Sequence, residues 1–394
     1  MYDTVIIVTT IYNTRIYDMA KVALFPLGVA VGKAHVNRND ERRRLADNVL
    51  NVRHTWLAAR RRMGKTSLIE QVRADVKTKR KIASAGVDLL VAHDLRAVEA
   101  RIRGAVESAA VELLPSRQRR TERLQRAFSR LRPEFSVGGK TLRMTLHTPQ
   151  DPQRGIEQAL MALDDAAAEH NRRVMFVFDE FQQLRAIKAD GSLEGSIRHA
   201  VERASNVAYV FAGSERHLLA DMFEDPDRPL YHLCERMSVQ RISAQAYTEF
   251  LNHAAKARWR RPLADKVVDT LLASTLRHPY YVNALCGRLW QAEQAPNPAV
   301  VQRAWKRFVE EDQRRAASRV LALSSAQRGM LAGIARAGEI QHPTGQVFLQ
   351  QLRMATSTGL AAKEVLERQD LIQQTETGAW CLVDPVMAAG LANL

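Results

Sequence analysis

The sequence predicts an α/β fold built on a mainly parallel sheet, and three observations carry that expectation. Apolar runs of strand length, HTWLA (54–58), IASAGVDLLVA (82–92), VMFVF (174–178) and VAYVFA (207–212), alternate with helical patterns. That alternation gives parallel strands covered on both faces. The first run leads through RRRMGKTS (60–67) into a helix, and the third ends in Asp179-Glu180. A loop between a strand and a helix N-terminus aims several backbone N–H groups at one point, where the helix dipole adds positive potential. Acids at the carboxyl end of a central strand stand where open α/β sheets place their ligands. The two segments read as the halves of an ATP site.

The remaining elements follow in order. VIIVTTIY (5–12) is too short to span a bilayer and follows Asp3 rather than a basic lead, so it is read as neither signal peptide nor anchor. FPLGVAVGKAHVNRNDERRRL (25–45) enters a helix, with Asn39 or Asp40 as the expected cap. DLRAVEARIRGAVESAAVELL (94–114) is an amphipathic helix stopped by Pro115. FSVGGKTLRMTLH (135–147) carries a hairpin signal at Gly138-Gly139, and 155–170 is again helical. Beyond about residue 240 the strand signals stop, and 244–315 reads as several helices. Three further helices (325–337, 344–354, 357–369) and a two-strand ribbon (371–383) follow the layout of a winged helix.

Composition narrows the class. At 394 residues, 46% apolar and 26% charged, the chain has material for two or three packed domains, which excludes wholesale disorder. Three scattered cysteines, Cys234, Cys286 and Cys381, lack metal or disulfide spacing and suit buried thiols in a reducing cytoplasm. The net charge of +15 is uneven. Residues 1–150 hold 29 Lys/Arg against 14 Asp/Glu, and the rest of the chain is balanced.

Within the loop, Gly64 lets backbone approach the phosphates, Lys65 reaches their β/γ oxygens and the Thr66 hydroxyl ligates Mg2+. The cofactor-binding segment runs from Ala59 through Arg60, Arg61, Arg62 and Met63 to Gly64, Lys65, Thr66 and Ser67. Ala59 stands where the usual GxxxxGK[ST] pattern has glycine, and its methyl group requires a negative φ and room at the strand end. Asp179 is expected to hold Mg2+ with Thr66, and Glu180 to polarise the attacking water.

These residues resemble the archaeal-type ATPases, a branch of the AAA+-related STAND P-loop NTPases. The resemblance covers most of 24–394 and rests on xNRxxE (Asn37 to Glu41), RRxGKTSL (Arg61 to Leu68), DEFQ (Asp179 to Gln182), AGSxxH (Ala212 to His217), RPLY (Arg228 to Tyr231) and HPYYVxxLCxRLW (His278 to Trp290). LVDP (382–385) in the closing winged helix agrees with it. It implies an AAA+ type core over 24–242, with a basic helix–hairpin insert at 115–147 and an N-terminal extension over 1–23. A helical lid over 243–318 and a winged helix over 319–394 complete the implied order. The resemblance places Arg38 near the adenine and Ser214 as a sensor of the γ-phosphate or attacking water. It makes Arg228 or Arg236 an arginine finger offered to a neighbouring subunit. It also makes Arg277 or His278 a phosphate-facing residue of the lid, although a purely structural role is the plainer reading of both.

The expected partners follow from charge. In PSRQRRTERLQRAFSRLRP (115–133), Leu124, Phe128 and Leu131 share one helical face, while Arg119, Arg120, Arg123, Arg126 and Arg130 occupy the others. With Arg117 these form a candidate footprint for a nucleic-acid backbone, DNA being the expected partner. The third helix of the winged domain is near neutral, with Lys363 and Arg368 against Glu364 and Glu367. That favours packing or an effector protein over base readout. The sequence thus points to a cytoplasmic, nucleotide-dependent homo-oligomer that hydrolyses ATP and acts on a nucleic-acid process such as defence, transposition or replication. The alternative is a scaffold that holds ATP structurally and recruits a protein.

Overall fold

The computed structural model describes residues 23–114, 151–187, 192–375 and 377–392. The basic insert, with Arg117, Arg119, Arg120, Arg123, Arg126 and Arg130, and all but the last residue of the N-terminal extension lie outside them. The chain divides into two compact units. One holds Arg38–Arg61 and Lys65–Val239; the other holds the described residues before Arg38, Arg62–Gly64 and everything from Gln240 onward.

The first unit is ordered α1 (Asn39–Leu50), β1 (Thr55–Ala59), α2 (Lys65–Arg80), β2 (Ala83–Asp88), α3 (Leu95–Leu113), α4 (Pro152–Glu169), β3 (Val174–Asp179), α5 (Ser192–Arg203), β4 (Val207–Ala212), α6 (Arg216–Glu224) and β5 (Glu235–Val239). All five strands are parallel, in the order β2-β3-β4-β1-β5. Their alternation sorts the core into two faces. Trp56, Phe176, Phe178, Tyr209 and Phe211 point to a face packed with residues of α3, α4 and α5. There Phe178 stacks on Phe211, with centroids 5.1 Å apart. Leu57, Met175, Val177, Ala208 and Val210 point to the other, where Leu45 and Val49 of α1 and Leu68, Val72 and Val76 of α2 cover them. Burial on both faces is why these strands read as unbroken apolar runs.

Helices α3 and α4 run side by side in the same direction. Glu99, in the second turn of α3, approaches Gly155 so closely that a Cβ there would lie 2.4 Å from Glu99 Oε1. At their far ends Arg172 donates to the carbonyls of Glu112 and Leu113. Asp94 and Asp151 cap the two helices by accepting from Ala97 N and Gln153 N.

Three local details differ from the sequence reading. Helix α1 is preceded by its N-cap Arg38 in the left-handed region (φ 76°), without a side-chain cap hydrogen bond, so Asn39 and Asp40 are the first residues of the helix and not its cap. Arg38 instead pairs with Glu41 at 3.0 Å. Strand β2 stops at Asp88 instead of running to Ala92. Strand β5 was not expected: Glu-Arg-Met-Ser-Val is a half-exposed edge strand whose alternate residues face outward.

In the second unit, α7 (Ala244–Trp259), α8 (Asp265–Thr275), α9 (Pro279–Leu289) and α10 (Pro298–Leu321) form a helical core. Phe25 packs against Phe250 and Trp290, with centroids 5.8 and 4.7 Å away, so the segment before Arg38 belongs here and not with the sheet. Helix α10 passes without a break through the expected boundary at 318. Helix α11 (Ser325–Ala337) opens with a capping box between Ser324 and Gln327. Then come α12 (Gln346–Gln351), α13 (Thr356–Arg368), the antiparallel strands β6 (Ile372–Gln374) and β7 (Trp380–Leu382), and a further helix, α14 (Pro385–Ala392). Ile340 adds a bridge to Trp380, and half-buried Arg241 donates to the carbonyls of Leu382 and Val383. None of the described helices is long and apolar enough to cross a membrane.

Candidate functional site

A parallel sheet gathers all its carboxyl strand ends at one edge, and the charged residues read from sequence converge there. Strand β1 ends at Ala59, whose backbone is extended as the missing glycine demands; the residue is buried and paired with Val239 of β5. The loop turns through Arg62 (φ 62°) and Gly64 (φ 87°), and α2 begins directly at Lys65. A left-handed φ costs a side-chain-bearing residue about 1–2 kcal/mol, which accounts for glycine at 64. Arg60 is half-buried, Arg61 and Arg62 are exposed, Met63 is buried, and Thr66 and Ser67 are half-buried on the first turn of α2. The Arg62 guanidinium lies 4.1 Å from the centre of the Tyr280 ring.

Lys65 is 8% exposed and its Nζ donates to Asp179 Oδ1 at 2.6 Å, with Glu180 Oε1 at 3.5 Å. Glu180 follows β3 in the left-handed region (φ 53°, ψ 41°). Held strain of this kind gathers at functional sites. The turn points its carboxylate toward the end of β4, where Ser214 N and Ser214 Oγ donate to Oε2 at 3.2 and 2.8 Å. The same oxygen accepts from Gln182 Nε2 at 2.6 Å. Burial alone raises the Glu180 pKa. The charge of Lys65 and the hydrogen bonds from Gln182 and Ser214 outweigh it and hold the carboxyl below the ordinary Glu range. Glu180 is therefore ionised at neutral pH.

Two residues of this cluster were not singled out in sequence. Gln182, 2% exposed, sits in the 3-10 turn Phe181–Ala186. A Cβ on Gly213 would fall 1.9 Å from Gln182 Oε1, so the glycine makes room for the amide. Asp88, at the end of β2, is in register with Asp179 of β3. Burial raises its pKa; the Leu90 N–H opposes, the charges of Asp179 and Glu180 raise it further, and Arg101 lowers it. Three carboxylates thus meet at the ends of two adjacent strands, with Lys65 the cation paired to two of them.

The other expected site residues are engaged elsewhere. Arg228 faces Glu194 at 3.5 Å, while Arg236 pairs with Glu224 at 2.8 Å and lies over the Trp56 ring. Arg38 is buried with Glu41. His278 belongs to the second unit, buried at the start of α9 and edge-on to Tyr281 with centroids 5.0 Å apart.

The donor set fits a nucleotide polyphosphate with Mg2+. A glycine-containing loop feeds a helix N-terminus, one buried ammonium lies beside it, and the carboxylate and hydroxyl of Asp179 and Thr66 are hard oxygen donors. No group of three or more His, Cys, Asp or Glu among the described residues could hold a metal unaided.

No protein-family model and no curated protein matches the chain. Among solved structures, a Walker-type ATPase of Pyrococcus abyssi aligns with 94% of this chain and 99% of its own, at 18% identity and a TM-score of 0.63. The ORC2 protein of Aeropyrum pernix, solved as ADPNP–ADP complexes, aligns with 90% of this chain and 92% of its own, at 14% identity and a TM-score of 0.54. The likeness is one of fold: an AAA+ type P-loop core of five parallel strands, followed along the chain by a helical lid.

Proposed function

We propose that the chain is a Mg2+-dependent ATPase that works as a nucleotide-controlled switch on nucleic acid in the cytoplasm. The observation that carries this reading is the joining of Lys65, Asp179, Glu180 and Ser214 at the carboxyl edge, directly after the Gly64 turn. Lys65 pairs with phosphate oxygens in exchange for Asp179. Thr66 and Asp179 would hold Mg2+, which when bound would neutralise charge on the phosphates. Glu180, ionised and fixed through Oε2, keeps Oε1 toward Lys65 and orients the attacking water. Ser214 and Gln182 set that orientation.

The switch is completed by assembly. Arg236 and Glu224 are each nearly half exposed, so their pair is cheap to break, and Arg236 is the better arginine finger for a neighbouring subunit. We assign the C-terminal winged helix to a protein effector. The exposed face of α13 presents Ser357, Leu360, Ala361 and Glu364. Its two cations are matched by acids on the same helix, Arg368 by Glu364 and Lys363 by Glu367, so the helix carries little net charge for a phosphate backbone.

Glu180→Gln tests the catalytic assignment. Nucleotide affinity should persist while turnover falls by about 100-fold or more, the usual worth of a positioned base. Unchanged turnover removes Glu180 from its role. If the wild-type chain binds ATP yet shows no turnover with partners present, the scaffold reading takes its place; the saturation of Glu180 Oε2 by three donors is the feature that favours it.

A further inference from the structure

The amino edge of the same sheet holds a second charged feature, assembled from residues far apart in sequence. Taken in spatial order along four neighbouring strands, the segments entering the sheet carry Lys79, Arg80 and Lys81 before β2, Arg172 and Arg173 before β3, Arg203 before β4 and Arg53 before β1. Neighbouring strands lie about 4.8 Å apart, so this is a row about 14 Å long. Arg53, Lys79, Arg80, Lys81, Arg173 and Arg203 are all exposed.

The row keeps its charge. Arg173 donates to the Ser205 carbonyl and Arg203 to that of His199, interactions that orient a guanidinium without neutralising it. No carboxylate among the described residues lies within ion-pair distance of the six exposed cations. The nearby acids have other work. Asp164 accepts from the backbone N–H groups of Ser205, Asn206 and Val207, Glu202 pairs with Arg198, and Glu235 is bonded to Arg44, with the charge of Arg53 acting on it more weakly. Asp165 and Glu169 on the last turns of α4 are the exposed exceptions.

We infer that this amino edge docks the sugar–phosphate backbone of duplex nucleic acid, independently of sequence. The inference rests on the proposed action on nucleic acid and names the surface for it. Three features select the partner. Among the described residues of the sheet's unit the exposed large apolar residues are Leu90 and Val91, which follow β2 at the opposite edge, so the row itself offers no apolar side chain to a bilayer. The aromatic residues nearest the row on β1, β3 and β4, Trp56, Phe176 and Tyr209, are buried, so no ring is offered to unpaired bases. The strand-end acids Asp88, Asp179 and Glu180 stand at the other end of β2 and β3, so they do not offset the row.

The test is equilibrium binding of the full chain to a labelled duplex of mixed sequence across a salt series. Wild type is compared with Lys79→Gln/Arg80→Gln/Lys81→Gln, with Arg53→Gln/Arg203→Gln, and with Arg119→Gln/Arg120→Gln/Arg123→Gln. All the edge positions are exposed, and an unchanged Tm confirms that each variant is folded. Each edge variant should bind at least about tenfold more weakly at low salt, and its log–log salt slope should flatten by about 0.9 for each phosphate it no longer neutralises. If wild type binds and only the Arg119 variant loses affinity, the edge is not the docking face, although the nucleic-acid reading stands. If wild type fails to bind duplex even at low salt, that reading fails as well. Binding to anionic phosphatidylserine vesicles, abolished by the edge substitutions and without duplex binding, would give the row to a membrane surface and overturn the inference.

Discussion

At the carboxyl edge of the sheet Asp179 and Glu180 pair with Lys65, Asp88 stands in register with Asp179, and all four side chains are half-buried or buried. At the amino edge of the same strands, exposed Arg and Lys side chains stand in a row, held if at all by backbone carbonyls. The topology is shared and the physics is not. Charges that are desolvated and adjoining act as one unit, and removing a member changes the state of the others. Exposed charges are screened and act nearly independently. Substitutions should therefore be few, large and coupled at one edge, and small, additive and salt-dependent at the other.

The largest effect belongs to Lys65→Ala. It removes the cation paired with two carboxylates, all of them less than a third exposed. Losing its charge-assisted contact with phosphate should cost about 3 kcal/mol, roughly a hundredfold in nucleotide affinity by calorimetry. The duplex salt slope should not move. A loss of nucleotide affinity below about threefold would mean that the carboxyl edge is not the nucleotide site at all.

Gln182→Leu comes next. It deletes the 2.6 Å donor to Glu180 and leaves Ser214 and Lys65 in place. Losing one hydrogen bond to a charged group, about 1.5–3 kcal/mol, should lower kcat by about tenfold or more with nucleotide affinity retained. The pH dependence has a definite sign. Glu180 works ionised, and its carboxyl is held low by Lys65, Gln182 and Ser214 against the upward effect of burial. Without Gln182 its pKa rises, so activity on the acid limb should be lost at a higher pH than in wild type. A mere packing defect would lower kcat without moving that limb. Gly213→Ala, whose methyl group would displace the Gln182 amide, should shift it in the same direction.

This contrast also explains how much could be read in advance. Strands β1, β3 and β4 were legible because burial on both faces forces WLAA (56–59), VMFVF (174–178) and VAYVFA (207–212) to be apolar throughout. Strand β5 was hidden because an edge strand tolerates Glu235, Arg236 and Ser238, and its pairing with β1 is non-local. Lys65, Asp179, Glu180 and Ser214 stand at strand or helix ends, where local sequence marks them. Gln182 owes its position to a 3-10 turn and to the space left by Gly213, and Asp88 owes its neighbours to register with β3. Asp88 leaves no local pattern, and Gln182 enters only as the last letter of DEFQ, which gives it no contact. The amino-edge row was least visible, because residues 53, 79–81, 172–173 and 203 become neighbours only once the strand order is known.

A smaller effect, of opposite sign, is expected at Asp88. Its carboxyl is raised by burial first and then by Asp179 and Glu180. A raised acid binds its proton more tightly when folded, so stability declines as pH rises from the ordinary Asp value through the folded one. Asp88→Asn should therefore raise Tm at neutral pH, and the gain should vanish below the ordinary Asp range. Because Asp88 is only about half buried, screening keeps the gain below about 1 kcal/mol, a degree or two in Tm. A gain that persists in acid would have a cause other than charge.

The smallest single effect should be that of Arg203→Gln at the amino edge, where one exposed guanidinium donates only to the His199 carbonyl. At about 0.5–1 kcal/mol, duplex affinity should fall two- to fivefold, uniformly across sequences and more at low salt than at high. Its value lies in combination. Lys81 precedes β2 and Arg203 precedes β4, with β3 between them, so Lys81→Gln and Arg203→Gln should add to within about 0.5 kcal/mol. Lys65→Ala and Glu180→Gln should depart from additivity in turnover, because each side chain sets the charge environment of the other. Strong coupling between Lys81 and Arg203 would mean that the row closes on its ligand as one unit, and the amino edge would then be a built pocket and no longer an open track for a backbone.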